Sequence, residues 1–336
     1  MNPPKVVVYS LGGTISMGRR GKRGVESGLT SQDLIAAVPG VSELADIEAR
    51  SFRQTASGEL TVSDIRALAE TIQRNFDEDE FVGAVVTQGT DTIEETAFLL
   101  DLMVRSNAPI AITGAMRNPT LLGADGTANI SAAVRVAISP AARGLGSVVV
   151  FTDEIHAACY VRKTHTQSLG TFRSITGPIG WLSEEAPRIA VRPPQRPYYP
   201  PQSLTSNEPP VALITLGLGE PGYLLDCVSP SGYRGLIIEA YGGGHVPSWV
   251  AARLERLVQE MPVVLASRTR AGEVMRKTYG FAGSETDLMD KGLINAGWLD
   301  AFKARLLLTL LLSQNRTADE IREEFGAYND RLTAAG

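Results

Sequence analysis

The segment 85–101, VVTQGTDTIEETAFLLD, decides the fold because it contains a strand, a tight turn and a helix in immediate succession. The apolar, β-branched run Gly83–Thr87 leads into it and predicts a buried strand. Gly89 permits a sharp turn, Thr92–Glu95 has the form of a capping box, and apolar residues follow at helical spacing. Thr90 and Asp91 therefore lie where a strand ends and a helix begins, which is where open α/β sheets bind ligands.

A second junction of the same kind lies near the N-terminus. Val6–Ser10 predicts a strand, and Gly12, Gly13 and Thr14 follow it at once. Two glycines before a hydroxyl residue allow a tight turn and a close approach of the backbone to a ligand. We expect the two strand-to-hydroxyl turns to contribute to one site. The basic, glycine-rich segment 18–24 follows Thr14 and predicts a solvated loop, which its glycines would also allow to act as a lid.

Strand and helix patterns alternate along the chain, which predicts an α/β fold with a mostly parallel sheet covered on both faces. Eight of the 19 prolines fall within residues 187–210, a composition that excludes a helix or a central strand. We therefore predict a larger N-terminal domain over residues 1–186, a Pro-rich linker over 187–210, and a smaller C-terminal α/β domain over 211–336.

Composition and charge argue against several classes of protein. The chain has 336 residues and a net charge of −5, which argues against nucleic acid as a partner. The late apolar run Leu306–Leu312 is too short to span a bilayer, and the first residues lack the apolar core of a signal peptide. Cys159 and Cys227 show neither a CxxC pattern nor metal-ligand spacing, which suits a reducing compartment. We expect a cytoplasmic protein without a membrane segment.

A dinucleotide site is an alternative use of the second domain. Gly217–Gly222 matches the pattern GxGxxG after the apolar run Val211–Leu216, and Glu239 stands at the distance of a ribose-binding acid. Two features oppose this interpretation. Pro221 removes a backbone donor where a pyrophosphate would bind, and the segment Tyr223–Val228 is too short for the usual crossover helix.

Several longer motifs resemble those of the bacterial L-asparaginase family of threonine-dependent amidohydrolases. They are LGGTIS at 11–16, VVTQGTDTIEETAFLLDL at 85–102, ITGAMRNP at 112–119, GADGTANI at 123–130, RKTHTQSLGTFRS at 162–174 and ETDLMDKGLINAGWLDAFKAR at 285–305. The resemblance covers nearly the whole chain. It implies that the protein hydrolyses L-asparagine to L-aspartate and ammonia, with glutaminase as a side activity. It also implies a homotetramer and no need for a metal or an organic cofactor.

The resemblance also implies catalytic residues. Thr14 matches the family's nucleophilic threonine, Thr90 and Asp91 match a second threonine with its neighbouring aspartate, and Lys163 matches the lysine grouped with them. A carboxamide is a poor electrophile with a poor leaving group, so a covalent acyl-enzyme divides a difficult step into two. A threonine hydroxyl needs a base, and desolvation in a closed site favours the neutral amine of Lys163, which reaches Thr90 most directly.

The substrate-binding residues follow from the same resemblance. Ser57 would hold the α-carboxylate, Asp91 the α-ammonium together with Glu285 from a partner subunit, and the Ala115 carbonyl the substrate amide. Backbone N–H groups at the Gly12–Thr14 and Gly89–Asp91 turns would stabilise the oxyanion. Gly58 follows the binding serine, where a bulkier polar residue is common in the family, and this bears on the choice between asparagine and glutamine.

Two further departures from the family leave alternatives open. The family carries a lid tyrosine that activates the nucleophile, whereas this chain has no tyrosine between Tyr9 and Tyr160, so the base for Thr14 is undetermined. His245 stands where asparagine or serine is frequent. A protein that binds asparagine or aspartate but has weak or lost catalysis is therefore the alternative. The ammonia-producing subunit of a tRNA-dependent amidotransferase is a third interpretation.

Overall fold

The computed structural model describes residues 3–19, 25–27, 29–78, 80–194, 196–204 and 208–333. The chain forms two compact units, Met1–Pro193 and Pro194–Gly336. The division falls within the Pro-rich stretch 187–210. The sheet of the first unit nevertheless runs into that stretch, because Ala186–Ile189 forms its last strand. This is an edge strand, where Pro187 is tolerated because one side of an edge needs no N–H donor.

The N-terminal unit is built on an eight-stranded sheet with the order β12-β11-β8-β7-β6-β5-β1-β4. Neighbouring strands are parallel from β4 to β7 and antiparallel from β7 to β12, so the sheet is mixed. Two small antiparallel pairs, β2 with β3 and β9 with β10, lie outside it. The strands are β1 Lys5–Ser10, β2 Met17–Arg19, β3 Val25–Ser27, β4 Asp46–Ser51, β5 Phe81–Thr87, β6 Ile110–Thr113, β7 Ser147–Phe151, β8 Glu154–Ala157, β9 Val161–Lys163, β10 Phe172–Ser174, β11 Gly180–Ser183 and β12 Ala186–Ile189.

Helices cover both faces of this sheet, as its nearly continuous apolar strands require. On one face, α5 and the short helices α1 and α2 pack on the alternate strand residues Val6, Val8, Val85, Val148 and Val150. The other two helices, α3 and α4, pack on each other and on the central strands. The helices are α1 Ser31–Ala36, α2 Val41–Leu44, α3 Val62–Glu78, α4 Ile93–Met103 and α5 Gly126–Ile138.

The start of α4 corrects one prediction from the sequence. Thr92 and Glu95 do not form a capping box: a 3-10 turn, Thr90–Thr92, precedes the helix, and within the described residues the Thr92 side chain caps none of its amides. The Thr92 hydroxyl instead donates to the carbonyl of Ser57 at 3.0 Å and accepts from Gln88 Nε2 at 3.3 Å. A tertiary contact has therefore replaced the local cap, and it ties two turns together.

The C-terminal unit contains a four-stranded parallel sheet whose order, β13-β14-β15-β16, follows the sequence. Its strands are β13 Val211–Thr215, β14 Gly235–Ala240, β15 Val263–Ser267 and β16 Ile294–Asn295. Its helices are α6 Ser248–Leu257, α7 Glu285–Asp290, α8 Ala301–Ser313 and α9 Ala318–Thr333. Val250, Leu254 and Leu257 of α6 pack on one face of the sheet, and α8 packs along β13, β14 and β15.

The dinucleotide interpretation is wrong for this unit. The segment between β13 and β14, which the structure describes in full, contains only the five-residue 3-10 helix Tyr223–Cys227. The described segment after β13 therefore lacks the crossover helix whose N-terminal amides would bind a pyrophosphate at the Gly217–Gly222 loop. Glu239, the supposed ribose ligand, is buried and accepts the Thr215 hydroxyl at 2.5 Å.

Candidate active site

Three turns of the N-terminal unit meet because glycines remove the side chains that would separate them. Gly13 follows β1 with φ of +89°, and a Cβ added there would lie 2.1 Å from the backbone nitrogen of Gly89, which follows β5. A Cβ on Gly89 would in turn lie 2.7 Å from Ser57 Oγ. Any larger residue at these two positions would push the turns apart, so the glycines fix the distance between them.

The strand order explains why this contact forms at the sheet edge. After β1, the next strand of this sheet is β4, which pairs with one side of β1. After β5, which pairs with the other side of β1, the chain continues to β6 in the opposite direction. The turns after β1 and β5 thus diverge from a shared crevice. Such a reversal is the usual ligand site of an open α/β sheet.

A cavity of about 190 Å³ lies at this crevice. Seven of the nine site residues expected from the sequence line it, namely Thr14, Ser57, Gly89, Thr90, Asp91, Ala115 and Lys163. Gly58 follows Ser57 but is not among the lining residues, and a Cβ built on it meets open space. Glu285, the remaining residue, belongs to the C-terminal unit.

The amine of Lys163 joins the two polar residues of the 3-10 turn after β5. Lys163 Nζ lies 2.8 Å from Thr90 Oγ1 and 2.6 Å from Asp91 Oδ1. The Lys163 side chain is only 16% exposed, whereas that of Asp91 is 76% exposed. A neutral amine in this position can accept the hydroxyl proton of Thr90, and the carboxylate of Asp91 then stabilises the ammonium that forms.

Thr14 enters the cavity from the other turn. It is half-buried and begins the 3-10 turn Thr14–Ser16, which the Ser16 hydroxyl stabilises by donating to the Gly13 carbonyl at 2.9 Å. Within the described residues, the Thr14 hydroxyl has no hydrogen-bond partner. The hydroxyls of Thr14 and Thr90 are therefore in different states, since Thr90 is in contact with an amine and Thr14 is not.

The wall formed by Ala115 and Met116 is shaped by a buried carboxylate. Asp125 accepts the backbone N–H groups of Met116 and Arg117, at 3.0 and 2.8 Å. It also accepts from Asn129 Nδ2, whose amide donates a second hydrogen bond to the carbonyl of Gly114. The motifs ITGAMRNP and GADGTANI, which are separate in the sequence, thus build one turn of the cavity wall.

The expected lid lies partly outside the described residues. Residues 17–19 and 25–27 form the antiparallel strands β2 and β3, and they bracket the basic segment. Residues 20–24, which carry most of the predicted loop, are outside the part of the chain that the structure describes.

Glu285 is a buried residue at the start of α7. One of its oxygens accepts the N–H groups of Thr278 and Tyr279, both at 2.8 Å, and the other lies 3.2 Å from His245 Nε2. Burial raises the pKa of Glu285, but the amides of Tyr279 and Thr278 outweigh it and hold that pKa below its ordinary 4.5. His245 packs edge-on against Tyr279 and Phe281. Glu285 is thus a preorganised anion beside an imidazole.

Three lining residues were not predicted from the sequence: Ala56, Met116 and Thr166. Each is within a few positions of a predicted residue, and Thr166 lies in the same motif as Lys163. Their small or apolar side chains gave no chemical signal. Among the described residues, no group of three or more His, Cys, Asp or Glu side chains is arranged to hold a metal. No described helix is long and apolar enough to cross a membrane.

Two protein-family models match the chain. "Asparaginase, N-terminal" matches residues 5–195, and "Glutaminase/Asparaginase C-terminal domain" matches residues 210–325. An L-asparaginase of Bacillus licheniformis is 32% identical over 323 residues, which are 96% of this chain and 98% of that protein. A probable L-asparaginase of Deinococcus radiodurans is 34% identical over 333 residues, covering 96% of this chain and 97% of that protein.

A solved structure shows the same architecture. The crystal structure of a probable cytoplasmic L-asparaginase from Campylobacter jejuni matches with a TM-score of 0.85 and 28% sequence identity. The match covers 96% of this chain and 99% of the other.

Proposed function

Because the chain belongs to the asparaginase family, we propose that it hydrolyses L-asparagine to L-aspartate and ammonia, with a weaker activity on L-glutamine. The observation that carries this proposal is the contact of Lys163 Nζ with Thr90 and Asp91 in a cavity that Thr14 and Ser57 also line. An amine, a carboxylate and several hydroxyls around a small cavity suit acyl transfer from an amide.

The reaction runs through an acyl-enzyme. A threonine hydroxyl attacks the side-chain amide carbon, its proton passes to the amine, and the amide nitrogen takes that proton as it leaves as ammonia. Water then cleaves the ester, releases aspartate and restores the hydroxyl. Backbone N–H groups of the Gly12–Thr14 and Gly89–Asp91 turns stabilise the oxyanion, each contributing about 3 kcal/mol.

Thr14 is the proposed nucleophile, and Thr90 with Lys163 and Asp91 moves the proton. The resemblance favours Thr14, while the Lys163 contact alone favours Thr90, so the attacking hydroxyl has to be located. An acid quench during turnover would trap the aspartyl ester, which trypsin digestion would place on the peptide 6–19 or on the peptide 75–105. An ester on the second peptide would make Thr90 the nucleophile.

Three substitutions complete this test. We expect Thr14→Ala, Thr90→Val and Lys163→Ala each to lower kcat for ammonia release by at least about 100-fold. The reason is that residues acting as one catalytic unit lose most of their joint contribution when any one of them is removed. Wild-type activity of Thr14→Ala would exclude Thr14 as the nucleophile. Wild-type activity of Lys163→Ala would exclude the proton route through Thr90.

A second candidate is an asparagine- or aspartate-binding protein with weak catalysis. The absence of a base on Thr14 among the described residues favours it, since a hydroxyl without a base is a poor nucleophile. The two functions differ in one pair of measurements. Under the second, calorimetry would detect asparagine binding to the wild-type protein while ammonia release stayed at background.

Substrate binding and assembly extend the proposal. We place the α-carboxylate on Ser57 and the α-ammonium on Asp91 and on Glu285 of a partner subunit, in a homotetramer. The low pKa of Glu285, which follows from its backbone amides, supports the charge that an ammonium requires. Light scattering should give four times the chain mass of 35.9 kDa.

The shared site has its own test. Lys163→Ala and Glu285→Ala would each be inactive alone, but co-expressed chains would recover part of the activity, because one site per mixed dimer receives both intact residues. Failure to recover activity in mixed oligomers would place Glu285 in its own subunit's site.

A cytoplasmic location completes the proposal. It is supported by the solved Campylobacter jejuni relative, which is described as a probable cytoplasmic enzyme. It is also supported by the two free cysteines, Cys159 and Cys227. Cell fractionation with an antibody against the chain would test it, and recovery outside the cytoplasm would contradict it.

A further inference from the structure

Glu94 reaches the catalytic lysine from the same segment that carries Thr90 and Asp91. It lies in the first turn of α4, directly after the Thr90–Thr92 turn, and is only 8% exposed. Its carboxylate oxygen Oε2 accepts the backbone N–H of Lys163, 69 residues further along the chain. Lys163 is therefore held at both ends by residues 90–94, at its backbone by Glu94 and at Nζ by Thr90 and Asp91.

The surroundings of Lys163 explain why such an anchor is needed. Lys163 ends β9, a strand of three residues that pairs with the equally short β10 outside the eight-stranded sheet. Two such strands are marginal on their own. A lysine side chain also loses rotamer freedom when its amine is held in one position. A displacement of the Lys163 backbone would therefore also displace Nζ.

Glu94 suits this task in charge and in place. Its carboxylate makes a charge-assisted hydrogen bond, which is about twice as strong as one between neutral groups. The first turn of α4 favours a negative charge, since the positive end of the helix dipole lies there. Because Glu94 and Thr90 belong to one continuous segment, residues 90–94, moving that segment moves both contacts of Lys163 together.

We propose that Glu94 is a positioning residue, which fixes the backbone of Lys163 so that Nζ reaches the Thr90 hydroxyl. This rests on the proposed function, in which Lys163 moves a proton. Glu94 is not among the residues that line the cavity, so its loss should affect the chemical step more than binding. Its effect should also vanish once the amine of Lys163 is gone.

The test compares Glu94→Ala with Glu94→Gln in the full chain, by ammonia release from L-asparagine. We expect Glu94→Ala to lower kcat about 100-fold, the usual effect of a misplacement of about 1 Å, with KM changed less than about threefold. Glu94→Gln keeps an acceptor oxygen in place and should recover most of the loss. Glu70→Ala, on α3 beside α4, is the matched control and should retain wild-type kcat.

A double substitution decides whether Glu94 acts through Lys163. If it does, adding Glu94→Ala to Lys163→Ala lowers kcat no further, because both changes remove the same contribution. Independent losses that multiply would overturn the proposal, as would equal activity of Glu94→Ala and Glu70→Ala. If Lys163→Ala itself keeps wild-type kcat, the proton route fails and the role of Glu94 with it. If Lys163→Ala is inactive while Glu94→Ala is not, only the role of Glu94 is refuted.

Discussion

Replacing Gly13 with alanine should separate the two turns on which the site depends. Two costs add. Gly13 has φ of +89°, a conformation that costs an alanine about 1–2 kcal/mol. Its Cβ would also lie 2.1 Å from the backbone nitrogen of Gly89 and 2.2 Å from its Cα. Relieving such an overlap costs about 1–3 kcal/mol more, because backbone atoms cannot rotate away as a flexible side chain can.

Gly144→Ala separates these two costs. Gly144 also has positive φ, +79°, but a Cβ there meets no atom within 4 Å. It should therefore lose only the conformational part, and Gly13→Ala should lose about 1–3 kcal/mol beyond it. At about 2–4 °C per kcal/mol for a unit of this size, calorimetry should show the Gly13→Ala midpoint about 2–12 °C below that of Gly144→Ala.

Activity gives the second measurement. Relief of the overlap moves the Thr14 turn away from the Thr90 turn, and a displacement of about 1 Å lowers kcat about 100-fold. Gly144→Ala should keep wild-type kcat, since Gly144 lies outside the cavity lining. If the two alanine variants had the same thermal midpoint and the same kcat, contact between the two turns would not be what assembles the site.

Three further predictions concern buried polar groups. Asp125→Ala leaves two backbone N–H groups of the turn 114–117 without their acceptor, so we expect a loss of about 1–3 kcal/mol in denaturation experiments and a raised KM. Burial lowers the pKa of His156 below 6.5, so as pH falls the imidazole takes up a proton more readily in the unfolded chain than in the folded one. Thermal midpoints should therefore fall as pH drops below 6.5, and His156→Gln should reduce this dependence of the midpoint on pH. Lys303→Met leaves the buried carboxylate of Asp300 without its 2.9 Å ion pair, and denaturant unfolding should show a loss of about 3–5 kcal/mol.

Local patterns in the sequence were sufficient for the elements that carry the threonines. The apolar run before Gly89 is strand β5, and the periodic residues after Thr92 are helix α4. What failed was the detail of the junction, since Thr92 bonds to the Ser57 carbonyl rather than to its own helix. A hydroxyl with a choice of partners follows tertiary packing, which a local pattern does not contain.

Lys163 shows a different limit of sequence reasoning. Its local sequence alternates weakly, and most lysines lie on the surface, so only the family resemblance placed it with Thr90. The structure brings it there through the short β9–β10 pair and the side chain of Glu94. Neither feature produces a periodic pattern in the sequence. Strand β9 is only three residues long, and the contact with Glu94 is a single hydrogen bond between residues 69 positions apart.

The two units show why similar glycine-containing loops differ in their suitability for binding a ligand. Both place glycine-containing turns after parallel strands, at Gly89 and at Gly217–Gly222. In the N-terminal sheet the chain leaves β1 and β5 in opposite directions, which opens a crevice between their turns. In the C-terminal sheet the order β13-β14-β15-β16 follows the sequence throughout, so successive connections run the same way and these four strands provide no such reversal. Strand order, which a motif does not encode, thus distinguishes the turn at the candidate site from the similar turn of the C-terminal sheet.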